Sequence, residues 1–293
     1  MAEVSALETS AGGISIRPMT PQDIPFGLRL SLAAGWNQVA ADWLMLLEQS
    51  EKGSYLACFD GVEAGTVTTV SYPGGIHWIG MMLVAEEFRQ RGVGRALLRA
   101  AIQSVRGRGA IWLDATPIGK ILYDKMGFQD VYSLARWLRQ PAGLGRDPVT
   151  VCRPLSPEML PFVGEYDRPV FGADRSGVLS ILRRNAPELA FYTGGAGRVS
   201  GYCLGRHGRK YTQIGPVIAD RLDIAQNLLL SALRGCAERQ VILDAACQQP
   251  GWNEMLRELD FVEQRQLFRM SLGDYALPKE HARQFAIAGP EMG

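Results

Sequence analysis

Histidine is scarce in this chain of 293 residues: His77, His207 and His281 stand far apart, with no H-E-x-x-H pair among them. That leaves little basis for a metal site, and none is expected. The five cysteines, Cys58, Cys152, Cys203, Cys236 and Cys247, are odd in number, scattered, and lack a C-x-x-C. They argue against a disulfide framework and a zinc knuckle, and they fit a reducing cytoplasm. Net charge is also lacking: 31 basic residues against 30 acidic leave +1. No overall field recruits nucleic acid or an anionic membrane, so any anion site must be local. There is no G-x-S-x-G elbow. There is no uninterrupted apolar run of about 18 residues, and the opening MAEVSALETSAGG has no basic start and no apolar stretch behind it. The protein is therefore expected to be cytoplasmic, soluble and not exported.

What is present is core material: 47% of the residues are hydrophobic, and the length suggests two compact units rather than one. An internal echo supports two copies of one fold. Ile16 to Phe26, IRPMTPQDIPF, returns as CRPLSPEMLPF from Cys152 to Phe162, so that Arg17 answers to Arg153. Trp112 to Trp137 is matched by Ile242 to Met270, with Leu113 answering to Leu243, Asp114 to Asp244 and Arg136 to Arg269. The Pro- and Gly-rich RQPAGLGRDP, Arg139 to Pro148, suits the linker between them. The expected domains are residues 14–140 and 149–273.

Within the first copy, SYLACFDG and EAGTVTTVSY read as strands joined by an Asp60-Gly61 turn, and IHWIGMMLV as a central strand. From Gly92 to about Arg106 the apolar positions Val93, Leu97, Ala100, Ala101 and Val105 share one helical face. AIWLDA reads as a strand, GKILYDKM as a short helix ended by Gly127, and FQDVYSLARWL as a last strand. The fold class is α/β, with a mixed sheet in each copy.

The stretch VAEEFRQRGVGRALLRAAI, Val84 to Ile102, crowds arginines around two glycines at the mouth of a helix. Unpaired amides there, with the positive end of the helix dipole, suit a phosphate, and arginines add charge-assisted bonds. A dinucleotide fingerprint would need Gly or Ala where Leu97 stands, and a P-loop would need Gly-Lys-Ser/Thr; neither is met. The pattern that fits is R-x-x-G-x-G, Arg89 to Gly94, after a central strand. At this point the sequence resembles the GNAT acyltransferases over roughly residues 14–140. The passage MLVAEEFRQRGVG resembles that family's strand-to-loop segment, and LYDKMGF, Leu122 to Phe128, its L-Y-x-x-x-G-F signature. Glu86 stands where the family often has Pro, and Thr116 where Asn is common. The second half resembles the family only in outline.

The resemblance implies a tandem pair of GNAT-like domains, each a mixed, mostly antiparallel twisted sheet flanked by helices, with acetyl-CoA as co-substrate. It implies cofactor contacts at Met82, Leu83, Val84, Arg89, Gln90, Arg91, Gly92, Val93, Gly94, Arg95 and Thr116. Among these, the backbone near Met82 and Val84 serves as oxyanion donor and pantetheine contact. It also makes Tyr123 the general acid near the sulfur; a phenol of pKa about 10 is protonated at neutral pH. His77, on the same central strand, and Asp114, at the end of the next, are candidates for a base or for steering a cationic acceptor. Acceptor contacts are expected from Trp36 and Asn37 in the AAGWN break, and from Asp167 and Asp174 in the charged EYDRPVFGADRSGVL stretch.

In the second copy the positions of Arg89, Gly92 and Gly94 fall on Asp220, Asp223 and Ala225, and Tyr123 becomes Leu256. Carboxylates would repel phosphate, so this half is expected to be degenerate and to wall off the acceptor site. The reading is an N-acetyltransferase acting on a primary amine of a small molecule, by direct attack in a ternary complex. Its alternatives are a protein lysine or N-terminal acetyltransferase and a non-catalytic acyl-CoA sensor. Either a monomer or a homodimer is compatible.

Overall fold

A computed structural model describes residues 13–143, 152–195, 197–236, 238–246, 249–273 and 275–293. Residues 144–148 of the expected linker, the expected start of the second domain at 149, and Cys247 lie outside the described residues, as does most of the opening segment. Among the described residues thirteen strands form one continuous, mostly antiparallel sheet.

The first copy runs β1 (Ile14–Pro18), α1 (Ile24–Ala33), α2 (Ala40–Glu48), β2 (Tyr55–Phe59), β3 (Val62–Tyr72), β4 (Ile76–Val84), α3 (Val93–Val105), β5 (Ala110–Ala115), α4 (Pro117–Lys125) and β6 (Gln129–Arg139). The second repeats it: β7 (Arg153–Pro154), α5 (Leu160–Phe171), α6 (Ser176–Asn185), β8 (Phe191–Gly195), β9 (Arg198–His207), β10 (Thr212–Ala219), α7 (Leu222–Arg234), β11 (Val241–Ala246), α8 (Trp252–Glu258) and β12 (Phe261–Leu272). A short strand, β13 (Gln284–Ala286), follows. Local chemistry sets several of these boundaries. Asp60 and Gly61 both take positive φ, 47° and 81°, as a tight turn between right-twisted strands requires. Thr116 caps α4 by accepting a hydrogen bond from the Gly119 amide at 3.1 Å. The apolar stripe of α3 buries Val93, Leu97, Leu98, Ala101 and Val105. Between β1 and β2 the chain forms two helices, α1 and α2, because Gly35 at φ 68° breaks the run just before Trp36.

The strand order is β1-β2-β3-β4-β5-β12-β6-β11-β13-β10-β9-β8-β7. The last strands have therefore changed places: β12 of the second copy lies against β5 of the first, and β6 of the first lies against β11 of the second. Neither half completes its sheet with its own chain. Two buried ion pairs mark the exchange. Arg269 on β12 grips Asp114 on β5 with two bonds of 2.9 Å, and Arg136 on β6 grips Asp244 on β11 at 2.7 and 2.8 Å. These residues answer to one another in the repeat, so the pairs are related by its pseudo-twofold symmetry. Burial alone would lower the pKa of each arginine, yet the facing carboxylate carries both above their ordinary value. The largest apolar cluster also spans the halves, joining Trp43, Leu56 and Trp78 to Val163, Leu179 and Tyr202.

Candidate active site

Two parallel pairings, one per copy, open into a slit. Strands β4 and β5 pair only from Ile76–Ala110 to Trp78–Trp112, and β10 and β11 only at Thr212–Val241 and Gln213–Ile242. Beyond those points the strands diverge. Each central strand also carries a bulge just past the divergence. On β4, Thr68 faces Gly80 while Thr66 faces Leu83, so one extra residue is inserted and Met81 takes φ 46°. On β10 the same shift falls between Ile214 and Val217. A slit edged by backbone amides and carbonyls demands a partner, because buried main-chain groups are costly to leave unpaired.

In the second copy that partner is the chain itself. Strand β13 lies between β10 and β11, pairing Ala286 with Val217 on one side and with Ala245 on the other, and the Ile287 amide donates to the Asp244 carbonyl at 3.0 Å. Gly215, φ 155°, admits this close passage: a Cβ there would stand 2.0 Å from the Ile287 carbonyl oxygen. In the first copy no described strand enters the slit. It leads instead from a small cavity of about 90 Å³ toward the N-terminus of α3.

That N-terminus has the form expected of a phosphate loop. Gly92 takes φ 88° and Gln90 φ 63°, so the backbone from Arg89 to Gly92 curls back with left-handed turns. The first amides of α3 have no helical acceptor by position. Gly94 sits against Met82 and Val84 of β4 and Leu122 of α4, at 3.5 to 3.7 Å from where its Cβ would be. It thereby ties the loop to the helix that carries Tyr123. Arg91 stacks on Phe59 and Phe88, 5.3 and 5.9 Å from their centroids, while Arg91, Arg95 and Arg99 line a groove along β1 and α3. Arg89 is anchored through Nε on the Val84 carbonyl at 3.3 Å. In the second copy, by contrast, Asp223 in the first turn of α7 is paired with Arg221 at 2.8 Å, and Asp220 accepts a bond from Tyr166 at 2.7 Å.

The cavity is lined by Trp36, Asn37, Met82, Asp114, Thr116 and Tyr123, which the sequence reading singled out, and also by residues it did not: Gln38, Gly80, Met81, Arg136, Arg265, Pro290 and Glu291. Burial pushes the Tyr123 phenol well above its ordinary range, so it remains a proton donor. Four expected roles change. His77 lies at the closed end of β4, where Nδ1 meets Ser71 Oγ at 2.9 Å, and burial lowers its pKa from 6.5; it does not line the cavity. Asp114 lines it, but both its oxygens are held by Arg269. Asp167 is buried in a pair with Arg175 at 2.8 Å and accepts the Tyr202 hydroxyl. Asp174 accepts the Ser176 amide at 2.9 Å, a helix-start role, and neither of these two aspartates reaches the cavity. Asn37 reaches it from a joint: its oxygen accepts the Lys210 and Tyr211 amides at 2.9 Å and its amide donates to the Tyr211 carbonyl at 3.1 Å.

Two of the residues missed, Pro290 and Glu291, come from the tail after β13. It crosses from the second copy to the first, where Tyr72 Oη donates to the Met292 carbonyl at 2.7 Å and Trp78 Nε1 to Pro290 at 2.9 Å. A Cβ on Gly80 would come within 2.7 Å of the Glu291 carbonyl oxygen, so the bulged strand needs glycine where the tail passes. The available signal was the apolar FAIA, which follows an already complete second copy. Among the described residues no cluster of metal-ligating side chains occurs, and no helix is long and apolar enough to cross a membrane.

Comparison with known proteins agrees with this geometry. The acetyltransferase (GNAT) family model matches residues 29–128, and a second acetyltransferase (GNAT) domain model matches residues 163–286. The uncharacterized N-acetyltransferase YitH of Bacillus subtilis is 26% identical over 249 residues, covering 80% of this chain and 83% of YitH. A candidate acetyltransferase from Pyrococcus horikoshii superposes over 100% of both chains with a TM-score of 0.83 at 23% identity. A tandem GNAT protein from the clavulanic acid biosynthesis pathway superposes over 90% of this chain and 100% of its own, with a TM-score of 0.62 at 16% identity. At these identities the two structures speak for the fold alone. With both halves matched by GNAT models and the fold shared with a tandem GNAT protein, this chain belongs to the GNAT superfamily and is an acyltransferase with two GNAT domains in tandem.

Proposed function

We propose that the chain is an acetyl-CoA-dependent N-acetyltransferase that acylates a primary amine of a small molecule by direct attack in a ternary complex, with acetyl-CoA bound by the first copy alone. The observation that carries this is the contrast between the slits: the same bulged opening is filled by β13 in the second copy and left for a ligand in the first. An extended chain bearing amides fits such an opening, as β13 demonstrates, and pantetheine is such a chain. The diphosphate would rest on the amides of residues 90–95, with Arg89, Arg91 and Arg95 beside it. The amides at the β4 bulge would face the thioester carbonyl, and Tyr123 would protonate the departing sulfur. The second copy, with Leu256 fully buried in place of a tyrosine and Asp223 paired at its helix start, has no acetyl-CoA site of its own.

The tail favours a small acceptor over a protein chain, since Pro290 and Glu291, packed against β4, form part of the cavity wall. Calorimetry should give one coenzyme A per chain, and thiol release across a panel of primary amines should identify turnover that Tyr123→Phe lowers by about 100-fold. Binding without turnover across the whole panel would favour the sensor reading. Turnover confined to peptide substrates would favour the protein acetyltransferase.

A further inference from the structure

The ion pairs around the cavity leave two charges over. Arg136 is matched by Asp244 and Arg269 by Asp114. Arg206 faces two carboxylates, Asp42 at 2.7 Å and Glu291, so this trio carries one surplus negative charge. Arg265, on β12 opposite Arg136, has no ion-pair partner among the described residues, and it supplies one surplus positive charge. Hydrogen bonding tells the same story atom by atom. Glu291 Oε1 receives Gln38 Nε2 at 3.0 Å and Arg206, but Glu291 Oε2 receives nothing. Because Nε2 of Gln38 is fixed by that bond, its Oε1 is turned away from Glu291, and it too is a buried acceptor without a donor. Arg265 Nε is a buried donor without an acceptor. Three orphaned groups lining one cavity of about 90 Å³ are unusual, because buried polar atoms are nearly always paired.

We propose that the acceptor is a small amino acid, or a compact amino-carboxylate like it, whose ammonium is held by Glu291 and Gln38 and whose carboxylate is held by Arg265. This rests on the acetyl-transfer reading above and names its substrate class. Two acceptors suit an ammonium, which has three protons to donate, and a guanidinium suits a carboxylate. The cavity is well below the roughly 300–1,000 Å³ of sites for larger ligands, so few heavy atoms fit beside the acetyl group. Glu291 also takes the first proton. The neutral nitrogen then forms its bond to the acetyl carbonyl carbon as the carbon–sulfur bond breaks. Tyr123 gives its proton to the sulfur and regains one from the new amide nitrogen, while Glu291 passes its proton to solvent. An ammonium and a thioester thus become an amide, a thiol and one proton.

The test uses the full chain with acetyl-CoA and matched pairs of acceptors, each amino acid beside the amine left when its carboxylate is removed, read by thiol release. The binary complex with coenzyme A is titrated with the same compounds. At least one small amino acid should exceed its decarboxylated partner by about 100-fold or more in kcat/KM, because the partner leaves Arg265 unanswered. Arg265→Ala should erase that preference through KM while coenzyme A still binds, Arg265→Lys should restore part of it, and Arg265→Glu should turn the preference toward diamines. Equal or better use of the decarboxylated amines would overturn the proposal and leave the acetyltransferase reading intact. Coenzyme A binding with neither turnover nor acceptor binding across all pairs would also overturn it. Failure of coenzyme A to bind would instead remove the reading on which it rests.

Discussion

The two copies differ least where they hold each other and most where a ligand would sit. Each repeats the slit, the bulge and the buried Asp on its fifth strand, and each lends its last strand to the other. Only one keeps a left-handed Gly92 before its helix and a tyrosine beside the slit; the other has paired carboxylates there, a buried leucine, and its own tail in the opening. The lesson is that a duplicated fold can give up a ligand without giving up the cavity, provided the chain supplies the missing hydrogen bonds. Having filled that slit, the tail is then aimed at the other one, where it contributes Glu291.

The symmetry of the exchange is the first thing to break. Arg136→Ala and Arg269→Ala each strip a buried carboxylate of its partner, and each should cost about 3–5 kcal/mol in denaturant unfolding. Near-equal losses are expected because the pairs occupy equivalent places in the two halves; a loss in one alone would mean that the two pairs are not equivalent. Next comes the asymmetry of the loops. Gly92→Asp places a carboxylate and a strained left-handed φ at the phosphate loop and should weaken coenzyme A binding by about 100-fold or more in a calorimetric titration. The reverse change, Asp223→Gly, should create no second site, since β13 still blocks it.

A smaller effect would sharpen the role of the tail. Gly80→Ala pushes a methyl into the Glu291 backbone. It should raise KM for the acceptor several-fold while leaving coenzyme A affinity near wild type, at a stability cost of about 1–3 kcal/mol. The smallest effect concerns His77. Its pKa is lowered from 6.5 by burial, so between those two values the unfolded chain binds the proton more readily than the folded one. Stability should fall as pH drops through about 6.5 and level off below the folded value. That slope should be absent from His77→Gln, and kcat should change little, because the side chain is not at the cavity.

Much of the first copy was legible in the sequence because its signals are local. R-x-x-G-x-G, L-Y-x-x-x-G-F and the Asp60-Gly61 turn each fix a conformation within a few residues. The strand exchange was not legible, since β6 and β12 carry the same pattern whichever partner they meet. Asp114 and Asp244 answer to one another in the repeat, but only the fold shows that their arginines come from the opposite copy. His77, Asp167 and Asp174 drew attention by residue type, but their partners lie on neighbouring segments that spacing alone does not bring together. Arg265 reads as one more half-exposed arginine on a strand and Glu291 as a lone acid in a terminal segment. Only three-dimensional placement shows that they are the two unmatched charges of one cavity.

The most direct test of the central claim is a crystal structure of the full chain grown with coenzyme A. One cofactor per chain is predicted, its diphosphate on the amides of residues 90–95 and its pantetheine between β4 and β5, with β13 still seated between β10 and β11. A nucleotide beside Asp220 and Asp223, with the tail expelled and the first slit empty, would contradict the account.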